Sequence, residues 1–194
     1  MTVHRGRAAG VVSKRGKRLI SPKDKPGRLK SLMRGDVSTR RRLPEDTAFL
    51  LSVFASTRSL ELDVLAAQGQ GPEAFVRMQF EAQSRHYKAS YPSAEHSVVL
   101  VDGKPAGQLV VDRSGAEILV VDIALLPRFR NAGVGSALVA GLLDEADEAG
   151  LPVRCHVWQA DDGARRFWER HGLVAQGVGG AHVAMVRACE ISRL

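Results

Sequence analysis

Apolar residues recur at helical spacing in two stretches, and each stretch begins at a proline. Proline favours the first position of a helix because its φ angle is already helical and its missing N–H is not needed there. The first predicted helix begins at Pro44 and the second at Pro72. The apolar face of the first is formed by Phe49, Leu50, Val53 and Phe54. The residues at helical spacing in the second are Phe75, Met78, Ala82 and His86.

The pattern then changes to the short apolar runs that are typical of strands. From Ser97 to Leu126 the chain reads SVVLV, DGKP, AGQLVVD, RSGA and EILVVDIALL. This predicts three antiparallel strands joined by two turns, of which Asp102-Gly103 is the clearest hairpin turn. The third strand is expected to stop at Pro127, because proline cannot donate to a strand ladder.

Helices and strands alternate in the last third of the chain. A helix is predicted from about Gly133 to Ala149, with Gly150 placed to end it. The inner stripe of this helix is formed by Val134, Leu138, Leu142 and Ala146. A strand, PVRCHVW, and a helix from about Gly163 to His171 follow, and the runs LVAQGV and HVAMVR come last. The predicted order, βααβββαβαβ(β), indicates a mixed α/β domain with antiparallel hairpins and a single crossover.

Charge is divided unevenly along the chain. Residues 1–42 carry 14 Lys and Arg against Asp24 and Asp36, whereas the other 152 residues carry 14 Lys and Arg against 19 Asp and Glu. Residues 1–37 also have no helical or alternating period, so we predict a disordered basic extension followed by one domain at 38–194. The extension is a tether to nucleic acid or membrane, a solvated arm, or residues upstream of a true start at Met33. We favour the arm and expect no nucleic-acid partner.

The composition is that of an ordinary globular protein, with 44% hydrophobic and 25% charged residues in a chain of 194. No apolar run approaches the roughly 18 residues of a membrane span, and the first residues lack the pattern of a secretory signal. Cys155 and Cys189 form neither a disulfide scaffold nor a metal cluster. We therefore expect a cytoplasmic, metal-free protein with no membrane association.

The sharpest motif is Arg130-Asn131-Ala132-Gly133-Val134-Gly135, which lies between a predicted strand and a predicted helix. Its two glycines let an oxygen-rich group approach the backbone without meeting a Cβ atom. The first helical turn offers free N–H groups and the positive end of the helix dipole, and Arg130 adds a positive charge. A Rossmann fingerprint needs a small residue where Leu138 stands, and a P-loop needs Gly-Lys-Ser/Thr. The motif therefore predicts a pyrophosphate site of another kind.

Several phrases, in order, resemble the GNAT superfamily of N-acetyltransferases. IALLPRFRNAGVGSALVAGLLDEA resembles its acetyl-CoA-binding motif, and ARRFWERHGLVAQG resembles the helix and strand that follow. FLLSVFASTR, FVRMQFEAQSRHY and VDIALLP resemble a bacterial GNAT subgroup, so that the resemblance covers roughly residues 38–187. It implies the GNAT fold, a central mixed, mostly antiparallel sheet flanked by helices. It also implies an enzyme that transfers an acetyl group from acetyl-CoA to a primary amine.

The resemblance further implies which residues bind acetyl-CoA. In GNAT enzymes the pantetheine arm lies along the central strand, a role that would fall here to Ile123, Ala124 and Leu125. The pyrophosphate would lie on the backbone of residues 130–135, with Ser136 and Ala137 in the first helical turn. A backbone N–H near Ile123 would stabilise the oxyanion while the amine attacks the thioester, and no covalent enzyme intermediate is needed.

A general base must take a proton from the amine, and three residues are candidates. Glu117 and Asp122 lie on the third predicted strand, on opposite predicted faces because their spacing is odd. His156 lies on the next strand and has an ordinary pKa close to neutral pH. Each has a structural alternative: a solvated strand end for Glu117, a hydrogen-bond acceptor for Asp122 and a core residue for His156.

The general acid is where the chain departs from the family pattern, since the usual tyrosine falls on Trp168. An indole N–H cannot give up its proton in this role, but a thiol of pKa near 8.5 can leave as the thiolate at modest cost. Trp168 is predicted to pack against the cysteamine end of the cofactor or to fill the core. Tyr87 and Tyr91 are alternative acids with no local support in the sequence.

These observations leave three hypotheses. The leading one is an acetyl-CoA-dependent N-acetyltransferase acting on a small-molecule or peptide amine. The second is a catalytically weak, CoA-binding regulatory module, and the third is a nucleic-acid-binding protein that acts through the basic extension. Neither LELDVLAAQGQGPE nor GVGGAH carries a signature of the acceptor. Homodimers are common in the family, so a homodimer is one expected state.

Overall fold

The structure is a computed structural model that describes residues 35–58, 62, 67 and 71–189. The predicted basic extension lies outside these residues as far as position 34, and its last residue, Val37, is the first residue of a strand. The predicted order of elements also begins with a strand, but the sequence analysis gave no residue range for it. Its Arg40 and Arg41 suit the edge of a sheet, where charge discourages pairing with another chain.

The described ranges form strands and helices in the predicted order, with 3-10 turns at Pro44–Asp46 and Pro127–Phe129. The strands are β1 (Val37–Arg41), β2 (Glu95–Val101), β3 (Lys104–Asp112), β4 (Ile118–Leu125), β5 (Val153–Trp158), β6 (Val174–Gly179) and β7 (His182–Arg187). The helices are α1 (Thr47–Ser56), α2 (Pro72–Ser90), α3 (Val134–Ala149) and α4 (Asp162–Arg170). In the part of the chain that is described, no helix is long and apolar enough to cross a membrane.

The strands form one sheet in the order β1-β2-β3-β4-β5-β7-β6. Neighbouring strands are antiparallel except for β4 and β5, which are parallel because α3 connects them as a crossover. Asp102 and Gly103 both have positive φ, at 51° and 73°, as a two-residue turn between strands requires. The predicted mixed, mostly antiparallel sheet is confirmed.

Each face of the sheet carries its own core. On one face α3 packs through the predicted stripe of Val134, Leu138, Leu142 and Ala146, and Trp168 of α4 joins the same core. On the other face α1 packs through Leu50 and Phe54 against Val98 of β2. The apolar face predicted for α1 is therefore confirmed, apart from Phe49, which is only partly buried.

The face of α2 that is buried differs from the predicted one. Val76 and Phe80 are buried against α1 and β2, whereas Met78 is 57% exposed and both Ala82 and His86 are exposed. The sequence prediction chose the wrong side of α2 because the helix carries aromatic and charged residues on more than one side. Packing against Phe54 of α1 decides which side is buried. The rings of Phe54 and Phe80 lie 5.7 Å apart.

A β-bulge in β4 reverses the alternation of its side chains. Val110 of β3 is opposite Asp122 and Val111 is opposite Val120, so that Val121 is the extra residue. Because of this extra residue, Val120 and Ile123 both pack on the α3 face, and Asp122 is turned to the α1–α2 face. The prediction that Asp122 and Glu117 lie on opposite faces assumed an unbroken strand that holds both residues, whereas β4 contains the bulge and begins after Glu117.

Candidate active site

The parallel strands β4 and β5 separate halfway along their length. They pair only between Ile118–Val120 and Val153–Cys155. Beyond these pairs β4 continues along β3 to Leu125, while β5 continues along β7 to Trp158. Within the described residues, one edge of β4 therefore has no strand partner after Val120.

The open edge of β4 directs backbone groups into this gap. The Leu126 N–H donates to the Ala106 carbonyl of β3 at 2.9 Å. Since backbone groups alternate between the two sides of a strand, Ile123 and Leu125 direct their N–H and C=O groups away from β3. The gap can therefore accept an extended chain that carries amide groups, as an added strand would.

The loop after β4 leads into the N-terminus of α3. Asn131 and Gly133 have φ angles of 57° and 81°, a left-handed conformation that glycine adopts without strain. The first hydrogen bond of the helix runs from the Ala137 N–H to the Gly133 carbonyl, at 3.0 Å. The N–H groups of residues 134–136 precede this bond, so they have no partner within the helix and remain available to an anion.

A cleft with a volume of about 550 Å³ joins the open edge of β4 to the N-terminus of α3. This main cleft is lined by Ile123, Leu125, Arg130, Asn131, Gly133, Gly135, Ser136, Gly163, Ala164, Phe167, Trp168 and Arg170. Among these lining residues two are arginines and none is acidic, so the cleft favours an anionic ligand.

The main cleft contains eight of the residues predicted to bind acetyl-CoA: Ile123, Leu125, Arg130, Asn131, Gly133, Gly135, Ser136 and Trp168. The other four lie elsewhere. Ala124 is paired with Gln108 of β3, Val134 is buried in the core, Ala132 is exposed on the loop and Ala137 follows the first helical turn. Ala124 lies outside the cleft because backbone groups alternate between the two sides of a strand. It stands between Ile123 and Leu125, so its own N–H and C=O groups point to β3.

One wall of the main cleft was missed by the sequence prediction. Gly163, Ala164, Phe167 and Arg170 of α4 line it together with Trp168. They recur every three or four residues and so share one face of the helix. The sequence did contain a signal for this wall, because helical spacing counted from Trp168 selects the same residues.

The Arg130 side chain makes contacts that the sequence did not predict. Its Nε donates to the Leu125 carbonyl at 2.8 Å, and one terminal nitrogen donates to the carbonyl and hydroxyl of Ser56 at 3.0 and 2.9 Å. Arg130 therefore ties the end of α1 to the end of β4. These partners are neutral oxygens, so within the described residues the guanidinium keeps its positive charge beside the cleft.

Trp168 lines the main cleft and also belongs to the core. Its side chain is 5% exposed, and its ring packs edge-on against Phe167 with 5.3 Å between centroids. Both predicted roles, lining the cofactor cleft and filling the core, are therefore compatible with its position.

Asp122 lies at the bulge, where β4 begins to part from β5. Its carboxylate accepts a hydrogen bond from the side-chain amide of Gln108, a residue that is 9% exposed. Burial raises the pKa of Asp122 to about 6, against the opposing effects of the Gln108 hydrogen bond and the Ile123 N–H. A carboxyl group with this pKa can accept a proton near neutral pH.

The other two candidate bases have different surroundings. Glu117 accepts a hydrogen bond from Arg154 at 2.8 Å, an ion pair that keeps its carboxylate engaged. His156 is exposed on β5. Partial desolvation lowers its pKa, and the nearby charges of Arg154 and His182 lower it further. Arg154 and His156 alternate with Cys155, which packs in the α3–α4 core, so both lie on the opposite face.

Gln108 and Tyr87 both interact with Asp122, but the sequence analysis connected neither of them with it. Gln108 is a polar residue in the middle of an apolar strand, which is a signal that the sequence did contain. Tyr87 of α2 is electrostatically coupled to Asp122, and burial followed by that charge raises the pKa of its phenol far above the usual range. Tyr87 was considered only as a proton donor, and the sequence gives no means to place it over β4.

Solved structures share the architecture of this chain. PH1933 from Pyrococcus horikoshii OT3 aligns with a TM-score of 0.61 at 18% identity, over 80% of this chain and all of that one. The PaiA N-acetyltransferase from Thermoplasma acidophilum, solved in complex with coenzyme A, aligns with a TM-score of 0.60 at 14% identity, over 79% of this chain and 99% of that one. At these identities the likeness shows the fold, which is that of the GNAT acetyltransferases.

The sequence comparisons give the family. The profile of the acetyltransferase (GNAT) family matches residues 61–173, more than half of the chain. The chain therefore belongs to the GNAT acetyltransferase family, and this region is an N-acetyltransferase domain whose acyl donor is acetyl-CoA. Mycothiol acetyltransferase from Saccharopolyspora erythraea is 38% identical over 103 residues, which are 45% of this chain and 33% of that protein. The chain thus spans about a third of the length of this relative.

The residues present fit acetyl-CoA. The N-terminus of α3 offers unpartnered N–H groups to the pyrophosphate, and the open edge of β4 offers backbone groups to the amides of the pantetheine arm. An added Cβ at Gly135 would lie 3.4 Å from the Phe167 ring, within the cleft, so the glycine keeps this space open. The cofactor supplies an acetyl group activated as a thioester.

Proposed function

We propose that this domain transfers the acetyl group of acetyl-CoA directly to a primary amine, with Asp122 as the general base. The observation that supports it best is the position of Asp122 at the bulge, where its carboxyl lies at the parting of β4 and β5 and has a pKa of about 6. Glu117 is engaged by Arg154, and His156 lies on the other side of the gap. Asp122 alone among the three combines a suitable pKa with the open edge of β4.

Binding is shared between two parts of the main cleft. The N–H groups of residues 134–136 and the charge at its mouth hold the pyrophosphate end. The Ile123 carbonyl and the Leu125 N–H hold the extended arm as an added strand would, which directs the acyl end toward the bulge. Positioning of this kind lowers the entropic part of the barrier.

Proton transfer and charge stabilisation meet at Asp122 and Ile123. The carboxylate of Asp122 takes the proton of the attacking amine, directly or through a water molecule. The Ile123 N–H interacts with this carboxylate and lowers its pKa. When the carboxylate is protonated it holds that N–H less strongly, because hydrogen bonds to charged acceptors are the stronger ones. The N–H then becomes available to the oxyanion, as the family resemblance implies.

Departure of the thiol is left without a dedicated proton donor. Trp168 occupies the position of the family tyrosine, and its indole N–H does not titrate. The thiol has a pKa of about 8.5, so the thiolate leaves unassisted near that pH. This site therefore works with a base but without the family's tyrosine acid.

The acceptor is proposed to be a small-molecule or peptide amine. Residues 43–194 carry a net negative charge, which favours the approach of cationic amines. The test is amine-stimulated thiol release from acetyl-CoA across polyamines, amino acids, aminoglycosides, peptide N-termini and mycothiol-related amines, the last suggested by the similarity to mycothiol acetyltransferase. Acetylated product with one class supports the proposal. Acetyl-CoA binding without turnover across all of them supports a regulatory module instead.

The pH profile separates Asp122 from His156. We expect kcat/KM to be constant above a pH of about 6, apart from titration of the amine itself, and to fall about tenfold per pH unit below it, because Asp122 must be ionised to act as base. The profile of His156→Gln should keep this limb, and that of Asp122→Asn should lose it. A limb that disappears in His156→Gln instead would assign the base to His156.

The effect of Trp168→Tyr measures what the missing acid is worth. We expect kcat to change by at most about tenfold, since a thiolate leaving group needs little protonation. The smaller ring should also loosen packing in the core, with a loss of stability of roughly 1–3 kcal/mol and a higher Kd for acetyl-CoA. Steady-state kinetics from pH 6 to 9.5 would show any gain below the thiol pKa. Complete loss of activity in a folded variant would instead make Trp168 essential.

A further inference from the structure

We infer that Gln108 is a positioning residue for the reaction: its side-chain amide holds the Asp122 carboxylate on the α1–α2 face of the bulge and keeps it ionised. This inference rests on the proposed role of Asp122 as base. Gln108 itself does not touch the reacting groups and acts through Asp122.

The first support is the cost of placing glutamine at this position. Gln108 is 9% exposed in the middle of β3, with Leu109, Val110 and Val111 following it. A buried amide is destabilising unless its hydrogen bonds are satisfied, and a leucine or valine would pack there without that demand. In the described structure the amide Nε2 donates to Asp122 Oδ2, so the polar side chain has a specific partner.

The second support is the backbone that brings the two side chains together. Gln108 is directly opposite Ala124, and Asp122 is the next residue on the same face of β4. A Cβ atom at Gly107 would lie 2.2 Å from the Ala124 carbonyl oxygen, so only glycine allows β3 and β4 to approach this closely. The bulge at Val121 turns Asp122 to this face; without it the carboxylate would point into the α3 core. The close approach and the bulge thus serve one contact.

The third support is the charge balance around Asp122. Burial raises its pKa, whereas the Gln108 hydrogen bond lowers it, so the amide keeps the carboxylate available at neutral pH. Tyr87 of α2 interacts with the same carboxylate and stays neutral. Burial raises the pKa of its phenol, and the smaller opposing effect of Arg58 lowers it. His96 of β2 shares this face through its pairing with Val110, and burial and Arg42 lower its pKa.

The test is the pH dependence of Gln108 variants. Gln108→Leu removes the donor while keeping nearly the same volume, and we expect the acid limb of kcat/KM to move up by about one pH unit or more. Gln108→Glu places a second carboxyl beside Asp122 and should move the limb further, because two adjacent carboxylates resist ionisation together. Val110 is the β3 residue that is paired with Asp122. Val110→Ala therefore perturbs the packing between β3 and β4 without removing the Gln108 hydrogen bond. The acid limb of kcat/KM should stay in place in this variant even if the protein is less stable.

A second readout does not depend on catalysis. The difference in Tm between each protein and its Asp122→Asn counterpart, followed from pH 4.5 to 8, reports the titration of Asp122 in the folded state. We expect this titration to move up in Gln108→Leu as the kinetic limb does. An unmoved midpoint in both measurements overturns the role of Gln108. A moved midpoint in Tm with activity retained in Asp122→Asn keeps the contact but overturns Asp122 as base.

Discussion

Replacing Asp122 with asparagine is expected to lower kcat by about 10²–10⁴-fold while leaving acetyl-CoA affinity nearly unchanged. The amide of asparagine cannot accept a proton, but its oxygen can accept the Gln108 hydrogen bond as the carboxylate does. Geometry should therefore be preserved and only the chemistry lost. Single-turnover kinetics with the best acceptor, together with a binding isotherm for acetyl-CoA, would separate these two quantities.

Stability provides the internal control for the same variant. The folded-state pKa of Asp122 is raised to about 6, so the folded protein binds the proton more tightly than the unfolded chain does. The unfolded carboxyl has a pKa of 3.8, so the destabilisation begins near that pH, grows as the pH rises toward 6 and is complete above it. Asp122→Asn should therefore raise the Tm most at pH 8, less at pH 4.5 and little at pH 3. An inactive variant that is also unfolded would not satisfy this expectation, and an active, stabilised one would refute Asp122 as the base.

The sequence allowed the fold to be predicted because its signals are local. Helical spacing identifies α1 and α3, the Asp102-Gly103 turn identifies the β2–β3 hairpin, and the glycines around position 133 identify the loop that leads into α3. Each of these depends on residues that are close in the chain. The same is true of the eight cleft residues found in advance, which lie in one strand, the loop and helix that follow, and Trp168.

What could not be predicted depends on contacts between distant residues. The bulge at Val121 is a matter of register with β3, and it decides which face Asp122 occupies. The buried side of α2 is decided by α1 and β2, and the partner of Arg130 is Ser56, 74 positions earlier. Gln108 was visible as a polar residue in an apolar strand, but its meaning required the neighbouring strand.

The glycine at position 135 gives the sharpest test of the cofactor site. Its Cβ would lie 3.4 and 3.5 Å from two atoms of the Phe167 ring, which is ordinary contact, so Gly135→Ala should fold and bind with modest loss. The branched methyl groups of Gly135→Val extend beyond that point, either against Phe167 or over the N–H groups of the first turn of α3. The fold should survive, because valine costs no more than glycine in a helix.

We expect Gly135→Val to raise the Kd for acetyl-CoA by at least about 100-fold, whereas Gly135→Ala should stay within about tenfold of the parent protein. The physical reason is that hydrogen bonds to a charged group contribute roughly 1.5–3 kcal/mol each, and the valine blocks more than one donor. Thermal unfolding with and without acetyl-CoA measures this directly, since a ligand at a hundredfold excess over its Kd adds about 2.7 kcal/mol. In the parent protein the Tm should rise with acetyl-CoA, and in folded Gly135→Val it should rise by only a small fraction of that amount. An equal rise in both would place the pyrophosphate elsewhere than the N-terminus of α3.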